Sequence, residues 1–301
     1  MRVAVVGAGL MGAQIACEYA LGGYPVLALA RDGDRLQQRI EVALELLREH
    51  GLRTPEQIDR ASGLIELRAG DATVEHMDLG VKIDLLVESL PEDLELKARG
   101  LRALASSQPE ALIATNTSSI SIRTLTEAAG LRGRLIATHY WNPPLLMPLV
   151  EVLAADGTPE RARDRVVEML LKIGKRPVLL NREVPGLLWN RLQAALLREA
   201  LWLVEQGVAT PAAVDEVVRD GLARRMRLTG PFETVALGGV ATFEAIAANL
   251  FPTLSDAESA VSLGTHLPVD PAQLAALRKS RERALARELL EEREGAHRRK
   301  D

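Results

Sequence analysis

The opening thirty residues constrain this chain more than any other stretch. Residues 2–6 (RVAVV) read as a short buried strand, and Gly7-Ala8-Gly9-Leu10-Met11-Gly12 follows at once. Residues 13–22 then read as a helix, and Pro25–Ala30 as a second apolar strand. Strand, glycine turn, helix and strand within about 30 residues make a βαβ unit. Glycines at 7, 9 and 12 let the backbone turn tightly and approach a pyrophosphate. The helix that follows points its free amides and dipole at that charge. Gly7, Gly9 and Gly12 are therefore candidate dinucleotide contacts.

The alternation continues. Helices are expected over 34–50, from a Thr54-Pro55-Glu56 cap, over 92–106 and over 160–173. Strands are expected over 64–67, 83–88, 111–115, 135–139, 149–153 and 177–180. That pattern builds a doubly wound (Rossmann) parallel sheet. After Pro185-Gly186 it changes, and only helices are expected, over 187–206, 211–224, 241–250 and 272–292. Two domains result: a dinucleotide-binding domain over 1–183 and an all-helical substrate or dimerisation domain over 184–301. The charged tail, 278–301, reads as a solvated or fraying helix.

Composition closes other routes. With 37 basic and 41 acidic residues the net charge is −4, which gives no footprint for nucleic acid. Cys17 stands alone, so no intrachain disulfide forms, and no Cys/His cluster has zinc-ligand spacing. Arginine outnumbers lysine 31 to 6, which reads as genomic or thermal bias. Gln14, Glu18 and the glycines interrupt the first apolar run, and no span of 18 apolar residues exists, so neither a secretion leader nor a membrane helix is expected. The chain is expected in the cytoplasm.

The end of the second strand bears on the cofactor. An acidic residue there usually meets a free ribose 2′-hydroxyl. Here the place falls to Ala30, with Arg31 next. Ala30 removes a carboxylate that would repel a 2′-phosphate, and Arg31 can pair with one. The reading leans to NADP over NAD. In the opposing reading Asp32 reaches the ribose and Arg31 is a plain surface residue.

Ser118, His139 and Glu151 sit at or just beyond strand ends. In a parallel sheet those ends line the ligand crevice. A histidine there with a carboxylate nearby can be a general base.

Asn116-Thr117-Ser118-Ser119, His139-Tyr140-Trp141-Asn142-Pro143 and Val184-Pro185-Gly186-Leu187-Leu188-Trp189-Asn190-Arg191 carry a resemblance. With the spacings from Ser118 to His139 and from His139 to Glu151, the chain resembles the L-3-hydroxyacyl-CoA dehydrogenases from residue 1 to about 250. The resemblance implies an NAD(P)-dependent dehydrogenase that oxidises the secondary alcohol of a 3-hydroxyacyl-type substrate, or reduces the ketone. It makes His139 the base, Glu151 its orienting carboxylate, and Ser118 and Asn190 hydrogen-bonding partners of the reacting oxygen. It places Leu10 and Met11 on the pyrophosphate turn, Glu92 and Lys97 near the nicotinamide ribose, and Asn116 in the same cofactor-binding segment. It also implies a homodimer through the helical domain.

Departures bear on the substrate. Pro148 stands where acyl-CoA members usually carry lysine, and the lysine used at the CoA end is absent near the helix over 34–50. Leu263-Gly264-Thr265-His266-Leu267-Pro268 replaces a glycine-rich stretch of the family. Thr229-Gly230-Pro231-Phe232-Glu233 resembles a branch acting on small hydroxy compounds without CoA, such as gulonate or carnitine. That branch is the first alternative. A catalytically silent dinucleotide-binding protein is the second.

Overall fold

A computed structural model describes residues 1–71, 79–260, 266 and 270–297. The segment Leu263–Pro268, apart from His266, lies outside the described residues. The chain divides into two compact units, Met1–Leu188 with Leu277–Asp301, and Trp189–Ala276.

The first unit is built on one sheet. Its strands are β1 (Val3–Val6), β2 (Val26–Ala30), β3 (Ile65–Ala69), β4 (Leu85–Glu88), β5 (Leu112–Thr115), β6 (Leu135–Tyr140), β7 (Leu149–Ala154) and β8 (Arg176–Leu179). They lie in the order β3-β2-β1-β4-β5-β6-β7-β8. Helices α1 (Leu10–Leu21), α2 (Gly33–Glu49), α3 (Pro55–Gly63), α4 (Leu94–Ser107), α5 (Ile122–Ala129) and α6 (Glu160–Lys172) connect them. One buried cluster, with Ile15, Leu36 and Leu170, fills one face of the sheet. Another, with Leu101, Leu125 and Leu135, fills the other. The central strands are buried along their whole length, as parallel strands between two helical layers must be.

The sheet departs from the all-parallel expectation at one place. β7 pairs antiparallel with β6, and β8 then runs parallel to β7. A parallel return needs a crossover of about a dozen residues or more. Here only residues 141–148 intervene, so the chain turns back as a hairpin.

The charged tail is also corrected. Its described part, residues 278–297, forms the end of α12 (Pro271–His297) and carries a packed face. Ala286 is buried, and Leu285, Leu289 and Leu290 pack on the first core cluster. Arg176 and Glu292 pair at 3.3 Å.

The second unit contains α7 (Trp189–Glu205) and α8 (Pro211–Glu216), which continues through a π-helical stretch, Val217–Ala223, into α9 (Arg224–Met226). α10 (Pro231–Gly238) and α11 (Val240–Leu250) follow. No single described helix is long and apolar enough to cross a membrane.

Candidate active site

The glycine turn separates protein packing from ligand space. Gly7 has φ +82°, and a Cβ there would lie 2.6 Å from backbone atoms of Ser89 and Leu90. A Cβ on Gly12 would lie 2.7 Å from the Gly7 carbonyl oxygen. Both glycines are therefore required by the fold. Gly9 is different: its Cβ would meet nothing nearer than the Gly7 oxygen at 3.8 Å. Gly9 is also the N-cap of α1, with no side-chain cap and no acidic residue in the first turn. Unfilled amides and open space at one point fit a pyrophosphate. Leu10, exposed, and Met11, half-buried, stand on that first turn. Arg39 of α2 donates to the Ala8 carbonyl at 3.4 Å.

At the end of β2, Arg31 is exposed. Asp32 is the N-cap of α2, and its carboxylate accepts the Arg35 amide at 2.9 Å.

β6 and β7 bring the histidine and the glutamate together. His139 and Glu151 are direct cross-strand partners in the antiparallel register. His139 Nδ1 lies 2.6 Å from Glu151 Oε2, and both residues are buried. The other carboxylate oxygen, Oε1, accepts the Leu188 amide at 2.8 Å. Trp141 Nε1 donates to Oε2 at 3.5 Å. The carboxylate is thus held at both oxygens. With Nδ1–H directed at it, the ring's lone pair stands on Nε2.

β5 is the neighbour of β6, so Ser118, three residues past the end of β5, belongs to the same sheet edge as His139. Asn116 Oδ1 accepts the Tyr140 amide at 2.9 Å and ties the two strand ends together. A cavity of about 400 Å³ opens beside Ser118, bounded by Ile122, Arg123, Glu183, Pro185 and Leu187. Asn190 stands in the first turn of α7, in the second unit.

Glu92 and Lys97 hold the turn that carries Ser118. Glu92 Oε1 accepts the amides of Ser118, Ser119 and Ile120 at 2.9, 2.6 and 3.1 Å, and the Thr117 hydroxyl at 2.8 Å. Lys97 is wholly buried and donates to Glu88 Oε1 at 2.8 Å and to the Leu90 carbonyl at 2.9 Å. It also pairs with Glu92 at 3.3 Å. Glu88, which also accepts the Thr115 hydroxyl at 2.6 Å, was not singled out from sequence. Its signal is a carboxylate closing the apolar run Leu85-Leu86-Val87.

Burial pulls the Glu92 carboxyl upward, but the Ser119 amide, the Lys97 charge, the Thr117 hydroxyl and the Ser118 amide outweigh it and hold the group down at about 2. A lowered carboxyl stabilises the fold above its unfolded value near 4.5 and loses that contribution as pH falls towards 2. Thermal melts of wild type and Glu92→Gln should therefore differ most above pH 4.5 and converge as pH falls towards 2. A constant gap across that window would remove the charged form from the account.

Residues 2–184 match the model of the NAD binding domain of 3-hydroxyacyl-CoA dehydrogenase, and residues 186–277 match that of its C-terminal domain. An L-carnitine dehydrogenase from Streptomyces griseus is 36% identical over 242 residues, covering 79% of this chain and 70% of the relative. An L-carnitine dehydrogenase/betainyl-CoA thioesterase from Agrobacterium fabrum is 32% identical over 246 residues. The match covers 79% of this chain but only 48% of that longer protein. Among solved structures, an NAD+-dependent dismutase, 5-formyl-3-hydroxy-2-methylpyridine 4-carboxylic acid 5-dehydrogenase, superposes with a TM-score of 0.83 at 26% identity. That superposition covers 95% of this chain and 96% of the other.

Proposed function

The chain belongs to the 3-hydroxyacyl-CoA dehydrogenase family of NAD-dependent oxidoreductases, and on that footing we propose that it interconverts a secondary alcohol and its ketone in a small, free hydroxy compound. The observation that carries the chemistry is the buried His139–Glu151 pair, with its carboxylate held by the Leu188 amide. His139 Nε2 takes the hydroxyl proton in oxidation and returns it in reduction. Glu151 keeps the ring in that tautomer and offsets the charge of the imidazolium. Ser118 hydrogen-bonds the reacting oxygen, and Asn190 has the same role on grounds of sequence resemblance. A bound nicotinamide supplies hydride acceptance and donation. Gly7, Gly9, Leu10, Met11 and Gly12 form the pyrophosphate turn. Glu92 and Asn116 would meet the nicotinamide ribose, while Lys97, wholly buried, would support Glu92 from beneath and not touch the cofactor.

The substrate class is supported by Pro148 in place of the acyl-CoA enzymes' lysine, and by relatives named for carnitine and for a hydroxypyridine carboxylate. Parallel assays test it: acetoacetyl-CoA reduction against oxidation of L-carnitine, gulonate and similar alcohols. Turnover of a free alcohol with slow acetoacetyl-CoA reduction is the expected result. Fast reduction of acetoacetyl-CoA, with no alcohol turned over, overturns it.

The finer cofactor choice rests on Ala30 and Arg31, and the use of Asp32 as a helix cap supports the lean to NADP. A hydrogen bond to a charged group contributes about 1.5–3 kcal/mol, so Arg31→Ala should lower NADPH affinity by about tenfold or more and leave NADH unchanged. Equal effects on both would make Arg31 an ordinary surface residue. The exposed apolar side chains of the second unit, Phe232, Leu237 and Phe251 among them, support a homodimer, which light scattering reads directly.

A further inference from the structure

Only 6 of the 37 basic residues are lysines, yet the two buried cations among the described residues, Lys97 and Lys175, are both lysines. An ammonium offers three tetrahedrally disposed donors, where a guanidinium offers a planar fork. Lys175 uses all of them. Its Nζ donates to Glu18 Oε1 at 2.6 Å, to the Pro144 carbonyl at 2.7 Å and to the Met147 carbonyl at 3.1 Å. The Lys175 and Glu18 side chains are only 4% and 5% exposed.

Glu18 does not act alone on its helix. Gln14, one turn earlier on the same face of α1, accepts the Leu145 amide at 3.2 Å through Oε1. The hydroxyls of Tyr19 and Tyr140 meet at 3.4 Å. One helix therefore grips the β6–β7 hairpin at Tyr140 and at three backbone groups of the 144–147 turn. The N-terminus of that helix is the glycine cradle. The turn it grips joins the strand of His139 to the strand of Glu151. No step of the proposed chemistry uses Glu18 or Lys175.

We propose that Lys175, with Glu18 as its counter-charge, is a positioning residue that fixes the 144–147 turn against α1. In this way it sets the place of the His139–Glu151 pair relative to the dinucleotide cradle. The inference rests on His139 being the base. Stability alone is a poor explanation for the pair. Replacing a buried ion pair with apolar residues of similar volume is often neutral or stabilising, because the desolvation cost disappears with the charges.

That contrast supplies the experiment. The double variant Glu18→Leu/Lys175→Met removes both charges and fills the space, but leaves the Pro144 and Met147 carbonyls without their donor. Its melting temperature should fall, because two carbonyls lose their donor, but the variant should stay folded at the assay temperature. Dinucleotide affinity, read by quenching of protein fluorescence, should also hold. kcat should fall by about tenfold or more, the effect of a misplaced catalytic group. Wild-type kcat in the folded double variant overturns the proposal. A fall in dinucleotide affinity equal to the fall in kcat also overturns it, since α1 itself would then have moved. Should the double variant not fold, Gln14→Met removes one grip with no buried charge left over. A drop of a few-fold in kcat at constant affinity is expected there, and no drop overturns the proposal. His139→Gln is assayed in parallel. If it keeps its turnover, the base assignment has failed; if it loses turnover while the double variant keeps it, only the positioning role has failed.

Discussion

His139→Gln should lower kcat by about 10²- to 10⁴-fold, the usual contribution of a general acid–base. The protein should stay folded and keep its dinucleotide affinity. Glutamine keeps a hydrogen-bonding group towards Glu151 Oε2, so the carboxylate, buried at 1% exposure, is not stranded. What glutamine cannot do is accept a proton at the position of Nε2. The loss should therefore appear in kcat, with the dissociation constants of the cofactor unchanged. Turnover within about tenfold of wild type would remove His139 from the mechanism. The buried carboxylate would then be a structural partner of Leu188 and Trp141 alone.

The glycine turn gives the second large effect, as a contrast between two neighbours. Gly7→Ala places a methyl group 2.6 Å from the Ser89–Leu90 peptide and forces an L-residue into φ +82°. The left-handed conformation costs about 1–2 kcal/mol and overpacking about 1–3 kcal/mol more, so urea denaturation should read a loss of roughly 2–5 kcal/mol. Gly9→Ala should leave the denaturation midpoint nearly unchanged, because its φ of −68° suits any residue and its Cβ would touch nothing nearer than 3.8 Å. Its methyl group fills the space left for the pyrophosphate, and dinucleotide affinity should fall by about tenfold or more. If Gly9→Ala binds dinucleotide like wild type, the cradle lies elsewhere. If Gly7→Ala is as stable as wild type, the turn is softer than its contacts imply.

The first βαβ unit was legible because spacing alone encodes it: an apolar run, three glycines and a second apolar run leave little choice. His139 and Glu151 were legible as strand-end polar groups, but their antiparallel pairing was not. Alternating strands and helices suggested a parallel sheet throughout, and only the short 141–148 connection carried the contrary signal. α5 escaped notice because it has eight residues and a remote partner, with Glu183 accepting the amides of Ile122 and Arg123 at its start. α10 was hidden behind a glycine N-cap, Gly230. Lys175 and Glu18, 157 residues apart, carry no local sign of their pairing, and only the folded chain brings them together. Glu92 had its role implied by resemblance, but its hold on three successive amides is a property of loop geometry that no pattern displays.

The polar part of the grip on the 144–147 turn is made through main-chain atoms: two carbonyls accept from Lys175, and one amide donates to Gln14. That part does not read sequence, whereas the buried side chains of Leu145 and Leu146 are fixed by the core they fill. Asn142 is exposed, and Met147 and Pro148 are half-buried, so these side chains can be exchanged while the peptide path beneath them is kept. The turn is thus a fixed mount with exchangeable positions at its flanks. Those positions can drift, by selection or by library design, without disturbing the His139–Glu151 pair on the strands to either side.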